Sequence, residues 1–210
     1  MKNILGKRTL ITGPVSSFAG AISISVLAAA AEDNGAVVAF VVDDQTGVSV
    51  LQQVGLLEKI RGRNNPKLSL EIVKPALTLP DQLTRLKAVA PRDDREFIVA
   101  RYFDRDLSPL ADGNLWLDWQ TAIAANLHCR TLSVAHWGSG PFPAPLDQKH
   151  FDRCWVIEDN HINIGGRATE RVAEPRRLVC LKPSPRTVPL LGKAHVGIII
   201  FDEVAVKETV

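Results

Sequence analysis

The sequence has few of the residues that define several large classes of protein. Its 210 residues include a single tyrosine and three cysteines, and the cysteines, Cys129, Cys154 and Cys180, lie far apart. An odd, scattered set of cysteines does not form the disulfide framework of a small secreted protein. We therefore predict buried, reduced thiols in an intracellular protein, in the nucleus of a eukaryote or in the cytoplasm of a bacterium.

Charge of one sign is not in excess, and long hydrophobic runs are missing. The chain has 25 lysine and arginine residues against 23 aspartate and glutamate residues, a formal net charge of +2. Any affinity for nucleic acid must therefore come from a local patch. Gly13-Pro14 and Ser16-Ser17 interrupt the N-terminal apolar stretch, and no other run approaches the roughly 20 apolar residues that span a bilayer. We expect no cleaved signal peptide and no membrane partner.

The side-chain sets of several enzyme classes are also missing. The five histidines and three cysteines lack zinc-ligand spacing, and no Ser-His-Asp or Cys-His set can be assigned. Residues 6–13 superficially resemble the first strand and turn of short-chain dehydrogenases. Those enzymes need a lysine four positions after the catalytic tyrosine, but Asp106 stands there after Tyr102. We predict no metal site and no cofactor, and keep a divergent dehydrogenase only as an alternative.

What is present fits a folded α/β core. Hydrophobic residues make up 46% of the chain, enough for a sizeable buried core. Residues 8–12 form a β-branched run, and residues 20–34 form an alanine-rich helix that ends near Gly35. Further helices are predicted over residues 48–60, 80–90 and 115–127, and strands over residues 36–42, 68–73, 97–100 and 131–135.

The pattern changes in the C-terminal third. Residues 138–145 contain two glycines and three prolines and are predicted to form an exposed loop. Strand-like runs then cover residues 154–158, 177–181 and 196–201, separated by turns rather than helices. We predict one domain over residues 1–210, with a mostly parallel sheet that ends in an antiparallel β-hairpin.

The loop after the first strand is the place where phosphate-binding folds put glycines and a helix N-terminus. Gly13 fits the first glycine of the P-loop (Walker A) pattern. Phe18, Ala19 and Gly20, however, stand where that pattern has glycine, lysine and a magnesium-binding serine or threonine. The sequence therefore predicts a degenerate Walker A loop without its charge and its hydroxyl.

Two parts of the chain together resemble the core of RecA and Rad51-type recombinases. Gly-Pro-Val-Ser-Ser at residues 13–17, the alanine-rich helix and residues 39–44 resemble the nucleotide-binding opening of that core. Residues 177–182 and 195–200 resemble its closing β-hairpin. The resemblance implies a three-layer RecA-like core over most of the chain.

Within this family the chain is most similar to the small Rad51 paralogues, which combine a minimal core with an eroded nucleotide site. Residues 151–155 and 177–181 resemble the small paralogue of Shu-type complexes, the partner of a SWIM-domain protein. The resemblance implies a heterodimer with another recombinase paralogue or with a SWIM-domain protein.

The resemblance also implies a nucleotide-site remnant, formed by Gly13, Ser16, Ser17 and Asp44. The first three lie in the phosphate loop, and Asp44 falls where the family has its water-activating glutamate. Arg101 stands where the metal-organising aspartate would follow the fourth predicted strand. We expect a pseudo-ATPase that is not an enzyme, and whether a nucleotide still binds stays open.

One segment, between Arg167 and Lys193, is strongly basic. Two interpretations stay open: a surface that follows a phosphate backbone, or a solvated hairpin edge that charge protects from strand pairing. Trp137 and Lys149 could likewise hold a single strand, or Trp137 could pack on the core or on a partner. The candidate DNA-binding residues are Trp137, Lys149, Arg167, Arg171, Arg176, Arg177, Lys182 and Arg186.

These observations lead to two functional hypotheses. The first is a non-catalytic recombinase paralogue that assists recombinase assembly on single-stranded DNA in homologous recombination and DNA repair. The alternative is a structural RecA-like scaffold subunit of another assembly, of Elongator type or SOS-inhibitor type, without direct DNA contact.

Overall fold

The computed structural model describes residues 3–14, 19–42, 44–61, 71–73, 77–103, 113–137, 151–158, 176–183, 186–195 and 198–203. The helices are α1 (Ala19–Asn34), α2 (Asp44–Arg61), α3 (Leu79–Val89) and α4 (Gly113–Leu127). The strands are β1 (Arg8–Pro14), β2 (Val37–Val41), β3 (Glu71–Val73), β4 (Phe97–Phe103), β5 (Arg130–Trp137), β6 (Arg153–Glu158), β7 (Arg176–Lys182), β8 (Arg186–His195) and β9 (Ile198–Glu203). Within these ranges no helix is both long and apolar enough to cross a membrane.

The nine strands lie in one sheet, in the order β3-β2-β4-β5-β1-β6-β7-β8-β9. Neighbours from β3 to β6 in this order are parallel, and neighbours from β6 to β9 are antiparallel. This is the predicted α/β architecture with an antiparallel C-terminal part. We call the end of the sheet at which the parallel strands begin its amino end, and the opposite one its carboxyl end.

The first strand, helix and strand form as the hydrophobic pattern predicts. All five residues of β2 are buried, as expected of a parallel strand that is covered on both faces. α1 ends before Gly35, whose φ of +62° lies in the left-handed region that glycine adopts at little cost. The predicted helix end near Gly35 is confirmed.

Helices cover both faces of the sheet, and the alternation along β4 shows which residue faces which layer. Ile98, Ala100 and Tyr102 pack in the core layer that contains α1 and α2. Phe97 and Val99 pack in the opposite layer, which contains α3 and α4. Because side chains alternate along a strand, the neighbouring residues Arg101 and Tyr102 near the end of β4 point into different layers.

The C-terminal part contains β8, a strand that the sequence analysis does not predict. β8 lies between β7 and β9 in the sheet. The strand predicted at residues 196–201 is β9, which begins and ends two positions later. β9 is therefore not the direct partner of β7. Proline in an apparent strand normally argues against one. Pro189 lies opposite Arg177 of β7, and within the described residues the pairing of β8 with β9 begins at Leu190.

The edge strand β9 is tied to α1 by Ser25. The backbone N–H of Phe201 donates to Ser25 Oγ at 3.1 Å, and Ser25 Oγ donates to the carbonyl oxygen of Ala21 at 3.0 Å. A backbone donor on an edge strand would otherwise be open to pairing with another chain. The antiparallel part of the sheet therefore packs against α1, and this contact fixes the helix that begins at the candidate site.

Candidate functional site

The nucleotide-site remnant lies at the carboxyl end of the sheet. β1 ends with Gly13 and Pro14, which face His136 and Trp137 at the end of β5. α1 begins at Ala19 and packs on the same part of the sheet. In open α/β sheets, ligands bind at this end of the strands. The fold thus places Gly13 and the start of α1 where a RecA-like core would hold a nucleotide.

The first turn of α1 packs against Tyr102 from β4. Gly20 occupies the position at which the P-loop pattern has its magnesium-binding hydroxyl. A Cβ atom on Gly20 would lie 3.6 Å from Cε1 of Tyr102, in van der Waals contact with the ring. The ring of Tyr102 therefore lies in contact with the position from which a serine or threonine side chain would extend.

Tyr102 also forms hydrogen bonds in this turn. Ser23 Oγ donates to the carbonyl oxygen of Gly20 at 2.6 Å and lies 2.5 Å from the Tyr102 hydroxyl. Because a serine hydroxyl has a single proton, the Tyr102 hydroxyl donates to Ser23 Oγ. Burial raises the pKa of Tyr102 well above its usual range, and the hydrogen bond to Ser23 offsets this only in part. The phenol is therefore neutral at physiological pH and offers no anionic oxygen to a metal.

Arg101 stands at the position where the recombinase resemblance implies a metal-organising aspartate. Its guanidinium carbon lies 4.7 Å from the ring centroid of Trp119, in the layer opposite Tyr102. Burial lowers the pKa of Arg101 to about 10, so the side chain keeps its positive charge at neutral pH. A guanidinium cannot act as an oxygen ligand to magnesium. The end of β4 thus supplies a cation and a neutral phenol rather than a carboxylate.

The other residues of the remnant are less close or lie outside the described ranges. Asp44 begins α2 after β2, and β4 and β5 separate β2 from β1. At a spacing of about 4.8 Å per strand, β2 lies about 14 Å from β1. Ser16 and Ser17 lie outside the described residues, so their predicted roles stay predictions.

The predicted DNA-binding residues on β7 and β8 lie at both ends of the sheet. Because β7 runs antiparallel to β6, Arg176 and Arg177 lie at the carboxyl end, where Arg177 faces Glu158. Lys182 ends β7 and Arg186 begins β8 at the amino end. Strand geometry separates Arg177 from Lys182 by about 17 Å. Of the other candidates, Trp137 ends β5 at the carboxyl end, and Lys149, Arg167 and Arg171 lie outside the described residues.

Arg186 has contacts within the fold. Its guanidinium carbon lies 4.9 Å from the ring centroid of Trp155, and its Nη2 donates to the carbonyl oxygen of Asn3. Trp155 is fully buried, and its Nε1 donates to the carbonyl oxygen of Ile4 at 2.9 Å. Arg186 therefore helps to hold the N-terminal segment on the sheet, and its role in DNA binding stays a prediction.

Tyr102 is the site residue that the sequence analysis misses. Its hydroxyl lies near α1 across a separation of 82 positions from Gly20, so no local motif connects the two. The available signal was that the single tyrosine of the chain directly follows a short buried strand and Arg101.

Comparisons with known proteins give a match to structures only. No protein-family model matches the sequence, and no curated protein is significantly similar to it. Among solved structures, a KaiC-like protein of the hyperthermophilic archaeon Pyrococcus horikoshii is similar, with a TM-score of 0.55 and 11% sequence identity. The match covers 94% of this chain and 90% of that chain. At this identity the similarity shows the fold alone: the chain has a RecA-like α/β core.

Proposed function

We propose that this protein is a non-catalytic RecA-like subunit that assists the assembly of a recombinase on single-stranded DNA, in homologous recombination and DNA repair. One observation supports the loss of catalysis most strongly. Tyr102 packs against Gly20 at the position where a nucleotide-binding core needs a hydroxyl. A RecA-like core that keeps its sheet and helices without a working phosphate site retains surfaces for binding other subunits.

Displacing Tyr102 so that a nucleotide could bind at the first turn of α1 would cost free energy. Tyr102 would lose its buried ring contacts and its hydrogen bond to Ser23. Burial of an aromatic side chain contributes about 1.5–3 kcal/mol, and a hydrogen bond contributes about 1 kcal/mol. Ala19 stands at the position of the P-loop lysine, so a bound phosphate would gain no charge interaction there.

The proposed partner is another recombinase paralogue or a SWIM-domain protein, in a heterodimer. The basis is the resemblance to recombinase cores, which associate side by side. The natural partner is to be isolated by affinity purification of the native protein at moderate salt, followed by mass spectrometry. Recovery of a recombinase, a second paralogue or a SWIM-domain protein supports the proposal.

The catalytic part of the proposal is tested by titrating ATP into the purified protein, with and without magnesium, in a calorimeter. The expected result is that magnesium adds no affinity and that no phosphate is released on prolonged incubation. A magnesium-dependent dissociation constant in the micromolar range, or measurable turnover, would overturn the pseudo-ATPase assignment.

The assembly part is tested with the recombinase of the same organism on single-stranded DNA coated with its single-strand-binding protein. We expect the heterodimer to shorten the lag before filament growth, measured by fluorescence of labelled DNA. The isolated partner serves as the control. An unchanged lag with the complete heterodimer would contradict the proposed role.

The scaffold alternative is favoured by one observation, the separation of Arg176 and Arg177 from Lys182 and Arg186 at opposite ends of the sheet. Its test is the double variant Arg176→Glu with Arg177→Glu. The matched control is Arg85→Glu with Lys87→Glu, which reverses two exposed cations of α3 and gives the same change in net charge. Unchanged affinity for single-stranded DNA favours a scaffold without DNA contact. A loss confined to the β7 double variant favours direct contact.

A further inference from the structure

A second cleft lies at the amino end of the sheet, opposite the nucleotide-site remnant. The parallel neighbours β4, β5, β1 and β6 all begin at this end. The cleft has a volume of about 540 Å³, within the range of small-molecule sites. Its charged and titratable lining residues are Lys7, Arg95, Glu96, His128, Cys129, Arg130 and Arg153.

Positive charge exceeds negative charge in this cleft. Glu96 is the one carboxylate among the described lining residues. It forms an ion pair with Arg130, whose Nε lies 2.5 Å from Glu96 Oε1. Arg95 pairs with Asp93, which does not line the cleft, at 2.8 Å. For the other two lining cations, no carboxylate of the described residues lies within 4 Å. The cleft therefore holds two positive charges that the described part of the fold does not neutralise.

Arg153 is one of these two cations, and its side chain is fixed in place. The Arg153 side chain passes so close to Gly6 that a Cβ atom on residue 6 would lie 2.9 Å from Arg153 Cγ. Arg153 Nη1 donates to the carbonyl oxygen of Asn3, the same atom that accepts from Arg186. Burial lowers the pKa of Arg153, and repulsion from Arg186 and Arg130 lowers it further. Two guanidinium groups thus share one neutral acceptor, an arrangement that a bound anion would stabilise.

Lys7 is the second cation, and its neighbour Arg8 provides a contrast. Arg8 begins β1 and forms an ion pair with Asp152 at 3.1 Å. The carbonyl oxygen of Lys7 accepts a hydrogen bond from the backbone N–H of Thr131 at 2.9 Å, which fixes the backbone at the start of β1. The exposed side chain of Lys7 lies at the cleft. The fold therefore holds Lys7 at the same cleft as Arg153, with no acidic partner among the described residues.

His128 brings a third polar group to the cleft from a strained backbone position. Its φ is +49°, in the left-handed region, just after the end of α4. Glycine or asparagine is usual at this position, and another residue there costs about 1–2 kcal/mol. Backbone strain of this kind clusters at ligand sites. An exposed imidazole is thus kept at the cleft although glycine would relieve the strain.

We propose that this cleft binds a phosphate-bearing anion through Arg153, Lys7 and His128. The planar guanidinium matches two phosphate oxygens, the ammonium group adds a point charge, and the imidazole adds a donor. Two sources have this chemistry: a small phosphorylated molecule, or the phosphodiester backbone of a nucleic acid. The proposal does not rest on the proposed function, because the site lies at the opposite end of the sheet from α1's first turn.

The experiment uses the full chain and two probes, inorganic pyrophosphate by calorimetry and a labelled single-stranded oligonucleotide by fluorescence anisotropy, both at low salt. Arg153→Gln and Lys7→Gln each remove one charge, and Lys7 is exposed, so Lys7→Gln is the variant less prone to misfold. Gly6→Ala keeps every charge but displaces the Arg153 side chain. Arg95→Gln removes a lining cation that is already paired and is the matched control.

We expect saturable pyrophosphate binding that weakens about tenfold or more in Arg153→Gln and Lys7→Gln. Gly6→Ala should also weaken binding, and Arg95→Gln should change it less than twofold. Oligonucleotide binding that pyrophosphate competes away identifies a nucleic-acid backbone as the ligand, whereas binding of pyrophosphate alone identifies a small phosphorylated molecule. No saturable binding of either probe, or an equal loss in Arg95→Gln, would overturn the proposal.

Discussion

At the carboxyl end of the sheet, Tyr102 packs against Gly20 and donates to Ser23, whereas at the amino end Arg153 and Arg186 both donate to one carbonyl oxygen. The first arrangement is apolar and its hydroxyl groups have partners. The second carries positive charge that the described residues do not neutralise. At the end where a RecA-like fold would hold phosphates, the sequence lacks the lysine and the hydroxyl of the Walker A pattern, and the opposite end has the cations that a phosphate would pair with.

The difference shows how a phosphate site can be lost without loss of the fold. A missing hydroxyl leaves a void in the first turn of α1, and a void weakens packing. Here the ring of Tyr102 from β4 lies in contact distance of Gly20 and its hydroxyl is hydrogen-bonded. The first turn of α1 therefore has packing and hydrogen-bond partners within the fold, although Gly20 provides no side chain.

The largest expected effect is at the carboxyl end. Tyr102→Ala removes a partly buried ring and should lower the free energy of unfolding by about 3 kcal/mol. Tyr102→Phe keeps the ring and loses one hydrogen bond, for about 1 kcal/mol, because Ser23 still donates to Gly20. Urea unfolding measures both. Equal losses in the two variants would mean that the ring does not stabilise this turn.

An intermediate effect tests whether water is excluded from the Cys129 thiol at the cleft. All three cysteines are buried, as the sequence predicts, and burial raises the pKa of the Cys129 thiol, which lies at the cleft, to about 12. The folded protein then keeps this proton while the unfolded chain loses it near pH 8.5. Above that pH the free energy of unfolding should fall by up to about 1.4 kcal/mol per pH unit.

The measurement for Cys129 is urea unfolding across the alkaline range, in the wild type and in Cys129→Ala. Only the difference in slope between the two is attributed to this thiol, because other groups titrate there as well. Parallel slopes in the two proteins would show that water reaches Cys129.

The smallest expected effect concerns His128. His128→Gly relieves the left-handed strain, and His128→Ala does not, so the glycine variant should be more stable than the alanine variant by about 1 kcal/mol. Both should bind pyrophosphate more weakly than the wild type. Thermal unfolding and calorimetry measure the two effects. Equal stability of the variants would remove the argument that the imidazole is kept there despite strain.

Much of the fold could be predicted because its elements follow local patterns. β2 and β4 are continuous apolar runs, and α1 ends where Gly35 provides a left-handed residue. β8 could not be predicted, since Pro189 suggests a turn unless the pairing partners of the strand are known. The register places Pro189 opposite Arg177 of β7, which no local pattern indicates.

The candidate sites were predictable to different extents. The departure of the phosphate loop from the Walker A pattern can be read locally around Gly20, and its effect on nucleotide binding stays a prediction. The role of Tyr102 was not predictable, since it depends on a contact between distant parts of the chain. The cleft at the amino end was also missed, because Lys7, His128 and Arg153 are scattered in sequence and meet only when the parallel strands align.

Hydrogen exchange in the presence of ATP and magnesium tests the central claim most directly, because it shows which end of the sheet the phosphates contact. Exchange in the first turn of α1 should be unchanged, while amides at the start of β5 and β6 exchange more slowly, with or without magnesium. Magnesium-dependent protection of the first turn of α1, with none at the amino end, would contradict the account.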